Sequence, residues 1–371
     1  MAGKGIVMFA EGREHHIEYD ILRIVSILFV IYNHTCEDGY FFFTQFYDTN
    51  TTRVISLWFY GTMIPSILCK ISVPVFFMIS GALLLGREES FVLIWKKRIS
   101  RYIIVLLAVS VLYFINDFLS SGNESDIMSF FILLYTNGIS RHLWFLYSYI
   151  GFLIVLPFVR YIAHNITRTG VYYLLFLSII INGVIPIAQF CLTKNEIILA
   201  PDLSFEILGL TFLYPLLGYG FTKYSPSKKM IITLSVLSVL SVVPVMILTI
   251  IQLEGIEIIN MSQEEAVVGF WSCFEELRAL TFFVLIKYAV NRRNVGNASK
   301  EILKEIGSCV FGIYLLGDLI KNITLFKLVL IVLKAGLPDY FAVWVLVFIV
   351  FLTALGLVYL IRKIPLVRKF L

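Results

Sequence analysis

Long runs of apolar residues, separated by short polar connections, recur along the whole chain. A helix needs about 20 apolar residues to cross a bilayer. Ten stretches have roughly that length: 20–36, 63–85, 99–119, 142–163, 171–191, 205–222, 229–252, 267–290, 306–330 and 340–362. The ninth contains Asp318 and Lys321, so it can instead be a shorter span followed by an interfacial or re-entrant piece. The pattern predicts an all-α, polytopic membrane helix bundle of about ten transmembrane helices.

Lys and Arg are distributed unevenly among the connections. One alternating set holds 21 of them, whereas the other set holds five and carries several acidic residues. Because basic connections stay in the cytoplasm, we expect a multi-pass protein of the cell (plasma) membrane with both termini cytoplasmic. No connection exceeds roughly 35 residues. We therefore expect residues 1–371 to form one membrane domain.

Composition agrees with this interpretation. Of 371 residues, 59% are hydrophobic and 15% are charged, and the mean hydropathy is +0.88. The net charge of +5 follows from the basic cytoplasmic connections, so we expect no nucleic-acid partner. The five cysteines are scattered without a CxxC pair, and they predict neither a metal site nor a disulfide framework.

The first apolar stretch contains charged and titratable residues, which are costly in a membrane. It reads "YDILRIVSILFVIYNH" from residue 19 to 34. Arg23 and His34 are eleven residues apart, so they share one helix face about 16 Å from each other along the axis. Asp20 can pair with Arg23, and Glu37 can orient or charge the His34 ring. Alternatively, Arg23 reaches the lipid headgroups and His34 is satisfied by a hydrogen bond in the core.

The same stretch resembles the first-helix signature of the membrane acyltransferase-3 family: an acidic residue, then Leu-Arg, then ten residues and His. Other stretches resemble further motifs of that family in the same order: "SVPVFFMISGALLL" (72–85), "WKKRISRYIIVLL" (95–107), "RHLWFLYSYIGFLIVLP" (141–157), "CVFGIYLL" (309–316) and "IRKIPLVRKFL" (361–371). The resemblance spans essentially the whole chain.

This resemblance implies roles for particular residues. His34 would be essential for acyl transfer to a hydroxyl group, and Arg23, Arg98 and Arg101 would handle acyl-coenzyme A arriving from the cytoplasm. Arginine suits the phosphate groups of coenzyme A because its guanidinium offers forked donors. The chain departs from the family in the ninth helix, where Gly317 stands in the place commonly held by a histidine.

Other polar residues are candidates for binding the acceptor. His142 and Trp144 can shape an acceptor mouth, although Trp144 also suits an aromatic anchor at the outer interface. Ser80 can be acylated when a base is near, but a Ser-Gly pair in a membrane helix more often permits close packing. Glu275, Glu276 and Arg278 predict an internal ion pair, with a wall of the acceptor cavity as the alternative.

Together these features predict an integral membrane O-acyltransferase. It would move an acetyl group from cytoplasmic acetyl-CoA, without a metal, to a hydroxyl of a cell-surface glycan, lipid-linked sugar or related acceptor. His34 would act as general base beside Glu37. The alternative is a polytopic exporter or flippase of a glycan or lipid-linked sugar, which would line a path with polar residues and transfer no acyl group.

Overall fold

The computed structural model describes residues 16–35, 57–121, 126–188, 209–255, 273–322, 331, 336 and 339–370. All regular structure in these residues is helical, without a strand, which confirms the predicted all-α class. The helices are α1 Ile17–Thr35, α2 Leu57–Cys69, α3 Ser72–Leu84, α4 Phe91–Ile94, α5 Ser100–Ser121, α6 Ile127–Tyr135, α7 Trp144–Asn165, α8 Arg168–Ile179, α9 Leu210–Lys223, α10 Lys228–Leu240, α11 Val242–Gly255, α12 Cys273–Asn291, α13 Asn297–Asn322, α14 Asp339–Ile361 and α15 Pro365–Arg368. Two π-helical turns, Trp95–Ile99 and Ile180–Val184, and a 3₁₀ turn, Arg141–Leu143, adjoin them.

Six helical segments in the described part of the chain are long and apolar enough to cross a membrane. They are Tyr60–Leu84, Phe91–Leu119, Trp144–Asn165, Arg168–Ala188, Lys228–Ile250 and Phe341–Ile361. The other four predicted spans contain α1, α9, α12 and α13, which are shorter or more charged. These helices support a multi-pass membrane bundle, whereas the count of ten and the side of the termini stay predictions.

Two helices that carry polar residues, α1 and α13, lie side by side. A Cβ atom added at Gly307 would lie 2.6 Å from Oδ1 of Asp20 near the start of α1. At the other end, Nζ of Lys321 donates a hydrogen bond to the carbonyl of His34. Both contacts join residues with the same separation along the chain, so the helices run parallel over the length of α1.

Helices α3 and α9 pack unusually closely. A Cβ atom added at Gly81 would lie 2.0 Å from the carbonyl oxygen of Pro215, and one at Gly218 would lie 2.1 Å from that of Met78. Only glycine permits such an approach between two helix backbones. This contact confirms the close-packing interpretation of the Ser-Gly pair, and the Ser80 hydroxyl donates to the carbonyl of Phe76 at 2.9 Å.

Candidate active site

A pocket lies between the last turns of α1 and α13 and the 3₁₀ turn Arg141–Leu143. The enclosed part of this pocket has a volume of about 20 Å³, and the space counted out to the solvent at its open mouth is about 320 Å³. The lining is apolar along most of α1, with polar groups at the end where His34, His142 and Asp318 meet. The polar end of this pocket therefore brings together side chains that can take part in proton transfer.

The face of α1 predicted from the sequence forms one wall of this pocket. Ile27, Ile31 and His34 line it, and they follow Arg23 at helical spacing on the same face. Arg23 itself lies one turn before the first lining residue. Its Nη1 pairs with Oδ1 of Asp20 at 3.0 Å, which confirms the predicted ion pair.

His142 forms the wall opposite His34. The two ring centroids are 6.5 Å apart, with the rings inclined at 75°. Nδ1 of His142 lies 2.8 Å from the Ser140 hydroxyl and 3.7 Å from Oδ2 of Asp318. The structure thus brings together two of the predicted site residues, which are far apart in the sequence.

The end of α13 supplies charged groups to the pocket. Nζ of Lys321 lies 2.6 Å from Oδ1 of Asp318 and also binds the carbonyl of His34. The hydroxyl of Tyr113 on α5 donates to the carbonyl of Leu315 at 3.1 Å and accepts from the amide of Leu319 at 2.9 Å. These two backbone groups would bond to each other in a regular α-helix. The Tyr113 hydroxyl therefore lies between these two backbone groups and bonds to each of them. It helps to fix the geometry of this turn of α13 beside the pocket.

Gly317, where the resemblance leads one to expect a histidine, lines the pocket. A Cβ atom added there would have Ile31 Cγ1, at 4.0 Å, as its nearest neighbour. A side chain at this position would therefore extend into the pocket. The glycine keeps that part of the pocket free of side-chain atoms.

The basic candidates lie at the opposite end of the bundle, around the connection between α3 and α4. Arg98 donates to both carboxyl oxygens of Glu89, at 3.0 and 2.6 Å. Arg160, which is 5% exposed, donates to the same carboxyl at 2.8 Å. Burial by itself raises the pKa of Glu89, but hydrogen bonds and charges from Arg98 and Arg160 outweigh it and lower that pKa to about 2.

Arg101 binds a different partner. Its Nε and Nη2 donate to the carbonyl of Phe370 in the C-terminal segment, at 3.2 and 2.9 Å. Arg98 and Arg101 are therefore close in sequence but bind different partners. Arg98 binds Glu89, and Arg101 binds the Phe370 carbonyl.

The remaining predicted site residues lie elsewhere. Trp144 begins α7 directly after the turn that carries His142, and it packs partly buried against the main apolar core. Ser80 lies within α3 and bonds to its own helix. Glu37 lies outside the residues that the structure describes.

The ion pair predicted in α12 is confirmed for Glu275 and Arg278, whereas Glu276 bonds to Ser178. Nη2 of Arg278 lies 2.9 Å from Oε2 of Glu275, and Nη1 of Arg278 donates to the Ser241 hydroxyl at 3.2 Å. Glu276 accepts a bond of 2.5 Å from Ser178. All of these side chains are buried, so they brace the helices around α12.

Sequence reasoning did not assign roles to Arg160, Lys321 or Tyr113. Roles for Arg160 and Lys321 could have been predicted from the sequence, because a charged residue within an apolar stretch usually faces the protein interior and pairs with another group. Tyr113 carried no such signal, since tyrosine is common in membrane helices and 20 occur in this chain. No cluster of three or more His, Cys, Asp or Glu suited to a metal occurs in the described segments.

The helical fold and the two-histidine pocket define a polytopic membrane protein with groups suited to general acid–base chemistry. More particularly, the chain belongs to the acyltransferase-3 family, whose acyltransferase domain matches residues 16–363. This match covers nearly the whole chain and confirms the resemblance drawn from the motifs. The protein is therefore a membrane acyltransferase in general terms. No curated protein and no solved structure matches the chain.

Proposed function

We propose that this protein is an integral membrane O-acetyltransferase. It would move an acetyl group from cytoplasmic acetyl-CoA to a hydroxyl of a cell-surface glycan, lipid-linked sugar or related acceptor. The observation that carries the proposal is the pocket along α1. Its wall is apolar on the side nearer to Arg23, and His34 lies at its polar end. Membership of an acyltransferase family supports the transfer of an acyl group.

His34 acts as general base in this proposal. It takes the proton of the acceptor hydroxyl while the hydroxyl oxygen attacks the thioester carbonyl. A C–O bond forms as the C–S bond breaks, and His34 returns the same proton to the leaving thiolate. The apolar wall formed by Ile27, Val30 and Ile31 keeps water from competing with the acceptor.

Replacing His34 by Asn tests this role, because Asn keeps a hydrogen-bonding group but cannot take up the proton. We expect acetyl transfer to fall about 10²–10⁴-fold. The measurement is incorporation of labelled acetyl groups from acetyl-CoA into membranes that contain the chain, with the ester verified by mass spectrometry. His16→Asn is the matched control, since His16 is exposed and precedes α1.

Transfer by His34→Asn at the wild-type rate would contradict the general-base role. If wild-type membranes gain no acetyl ester at all, the proposed function itself fails, and export or flipping of a glycan becomes the better explanation.

Donor binding is assigned to Arg23, Arg98 and Arg101. A guanidinium has five N–H donors, and the bonds to Glu89 and to the Phe370 carbonyl use two each on Arg98 and Arg101. Both side chains therefore keep donors for a phosphate group. Arg23 lies about 16 Å from His34 along α1, a distance that the pantetheine arm would bridge along the apolar wall.

Neutralising these arginines should weaken the binding of acetyl-CoA. We expect each Arg→Gln variant to raise the KM for acetyl-CoA several-fold while the KM for the acceptor stays unchanged, and wild-type donor binding to weaken as salt rises. Arg292→Gln is the control, since Arg292 lies at the exposed end of α12 over the Tyr288 ring. Unchanged donor affinity in the triple variant would rule out this site.

A further inference from the structure

His142 presents a buried ring nitrogen that the transfer step proposed above does not use. The side chain is 3% exposed and lines the pocket. Its Nε2 is buried and has no hydrogen-bond partner within the described segments. A buried polar atom without a partner costs free energy, so its position on a pocket wall points to a group on the ligand that pairs with it.

The His142 ring is held in place from several sides. Its centroid lies 4.8 Å from that of Tyr113 and 5.6 Å from that of Tyr314. The Tyr314 hydroxyl also donates to the His142 carbonyl at 2.7 Å. The His34 ring, at 6.5 Å between centroids, is too far for a direct hydrogen bond between the two imidazoles. The space between them suits hydroxyl groups that bond to each ring.

The groups around Nδ1 decide which nitrogen carries the proton. The Ser140 hydroxyl, at 2.8 Å, can donate or accept. The Asp318 carboxylate, at 3.7 Å, has a negative charge, which favours N–H over a lone pair on Nδ1. With the hydrogen on Nδ1, neutral His142 presents a lone pair at Nε2.

We propose that Asp318 is a positioning residue that holds His142 in its Nδ1–H form, so that Nε2 binds a hydroxyl hydrogen of the acceptor. This inference rests on the proposed function, because it specifies the acceptor of the same pocket. A hydroxyl group has one hydrogen, so the group bound at Nε2 is distinct from the one that His34 deprotonates. The pocket therefore takes an acceptor with two hydroxyl groups close together, such as those on neighbouring ring carbons of a sugar.

The tautomer can be observed directly in the full-length protein. The chain has five histidines, so ¹⁵N NMR of histidine-labelled protein in lipid bilayers gives few signals, and the spectrum of His142→Gln assigns the signal of His142. We expect the Nδ1–H form in the wild type. Observation of the Nε2–H form there would overturn the proposal without the use of any other variant.

Three variants separate Asp318 from its neighbours. Asp318→Asn should shift His142 to the Nε2–H form, because an amide can donate to Nδ1. Ser140→Ala should leave the Nδ1–H form in place. Lys321→Gln is the matched control, since it breaks the ion pair with Asp318 but keeps the carboxylate. A shift in Ser140→Ala without one in Asp318→Asn would contradict the role of Asp318.

Kinetics test whether Nε2 binds the acceptor. We expect His142→Gln to reduce kcat/KM for the acceptor about tenfold, the value of one hydrogen bond, with the KM for acetyl-CoA unchanged. Asp318→Asn should cause a similar loss, and the double variant should lose no more, because Asp318 acts through His142. Additive losses, or a wild-type rate in His142→Gln, would overturn the proposal.

The product gives a second, independent result. The acetyl ester should lie beside a free hydroxyl on the acceptor, as NMR of the isolated product would show. An ester on an isolated hydroxyl would contradict the inference. If membranes form no ester, the proposed function fails, whereas the tautomers of the wild type and of Asp318→Asn still decide the role of Asp318.

Discussion

Among single residues, Glu89 decides how the basic groups near α4 are held. Its carboxylate accepts hydrogen bonds from both Arg98 and Arg160, and Arg160 also donates to the carbonyl of Leu84 at 3.0 Å. One carboxylate thus joins the end of α3, the turn before α5 and the end of α7. The pKa of Glu89 is lower in the folded protein than its ordinary value, so the ionised carboxylate stabilises the folded state.

Replacing Glu89 by Gln should therefore destabilise the protein in a pH-dependent way. At pH 7 we expect the apparent melting temperature in detergent to fall by roughly 2–4 °C, since the pair is partly exposed. The stabilisation is complete above the ordinary pKa of 4.5 and is lost as the pH falls towards about 2. The melting temperatures of the wild type and of Glu89→Gln should therefore become equal over that pH interval. Glu88→Gln, at the exposed neighbouring position, should match the wild type throughout. Equal melting temperatures of wild type and Glu89→Gln at pH 7 would contradict this account.

Among the helices, two contacts that involve glycine differ in how much room they leave for a side chain. The α3–α9 contact at Gly81 brings two backbones together, whereas the α1–α13 contact at Gly317 leaves room for a side chain. The first contact therefore depends on glycine for packing. The second depends on glycine only for the volume of the pocket.

Alanine at these two positions should have opposite effects. In Gly81→Ala the new methyl group would lie 2.0 Å from the Pro215 carbonyl oxygen, and overpacking of this kind costs about 1–3 kcal/mol or more. In Gly317→Ala the nearest heavy atom is 4.0 Å away, and alanine favours a helix over glycine by about 0.5–1 kcal/mol. Melting temperatures of the two purified variants check this prediction. It is wrong if Gly317→Ala is the less stable of the two.

At the scale of the whole molecule, the parallel packing of α1 and α13 has a functional consequence. Arg23 lies near the end of the bundle where α1 begins, and His34 and Lys321 meet near the opposite end. If the basic connections are cytoplasmic, as the charge distribution predicts, the donor enters from the inside and His34 faces the outer half of the membrane. Acetyl transfer would then occur across the bilayer.

Sealed vesicles of opposite orientation test this arrangement. Acetyl-CoA cannot cross the membrane unaided, so we expect acetylation only when it is supplied on the face that carries the chain termini. A membrane-impermeant acceptor should be modified only from the other face. The orientation of each preparation is measured by protease accessibility of a tag at residue 371, and permeabilised vesicles serve as the control. Acetylation with both substrates confined to the cytoplasmic side would rule out transfer across the membrane.

Much of the architecture was predictable from the sequence, because helices depend on local properties. Apolar stretches of about 20 residues predicted the helices, and the helical period alone put Arg23 and His34 on one face. The motif order likewise predicted the family. The Asp20–Arg23 and Glu275–Arg278 pairs join residues one turn apart, so the sequence predicted them as well.

Only the tertiary structure decided what the pocket contains. His34, His142 and Asp318 come from three separate segments, and no sequence pattern fixes the distance between their side chains. The pairing of Arg98 with Glu89, and of Arg101 with the carbonyl of Phe370, likewise depends on how distant segments meet. Helical periodicity sets the direction of a side chain from its own helix, whereas its partner depends on packing between helices, which is a property of the whole fold.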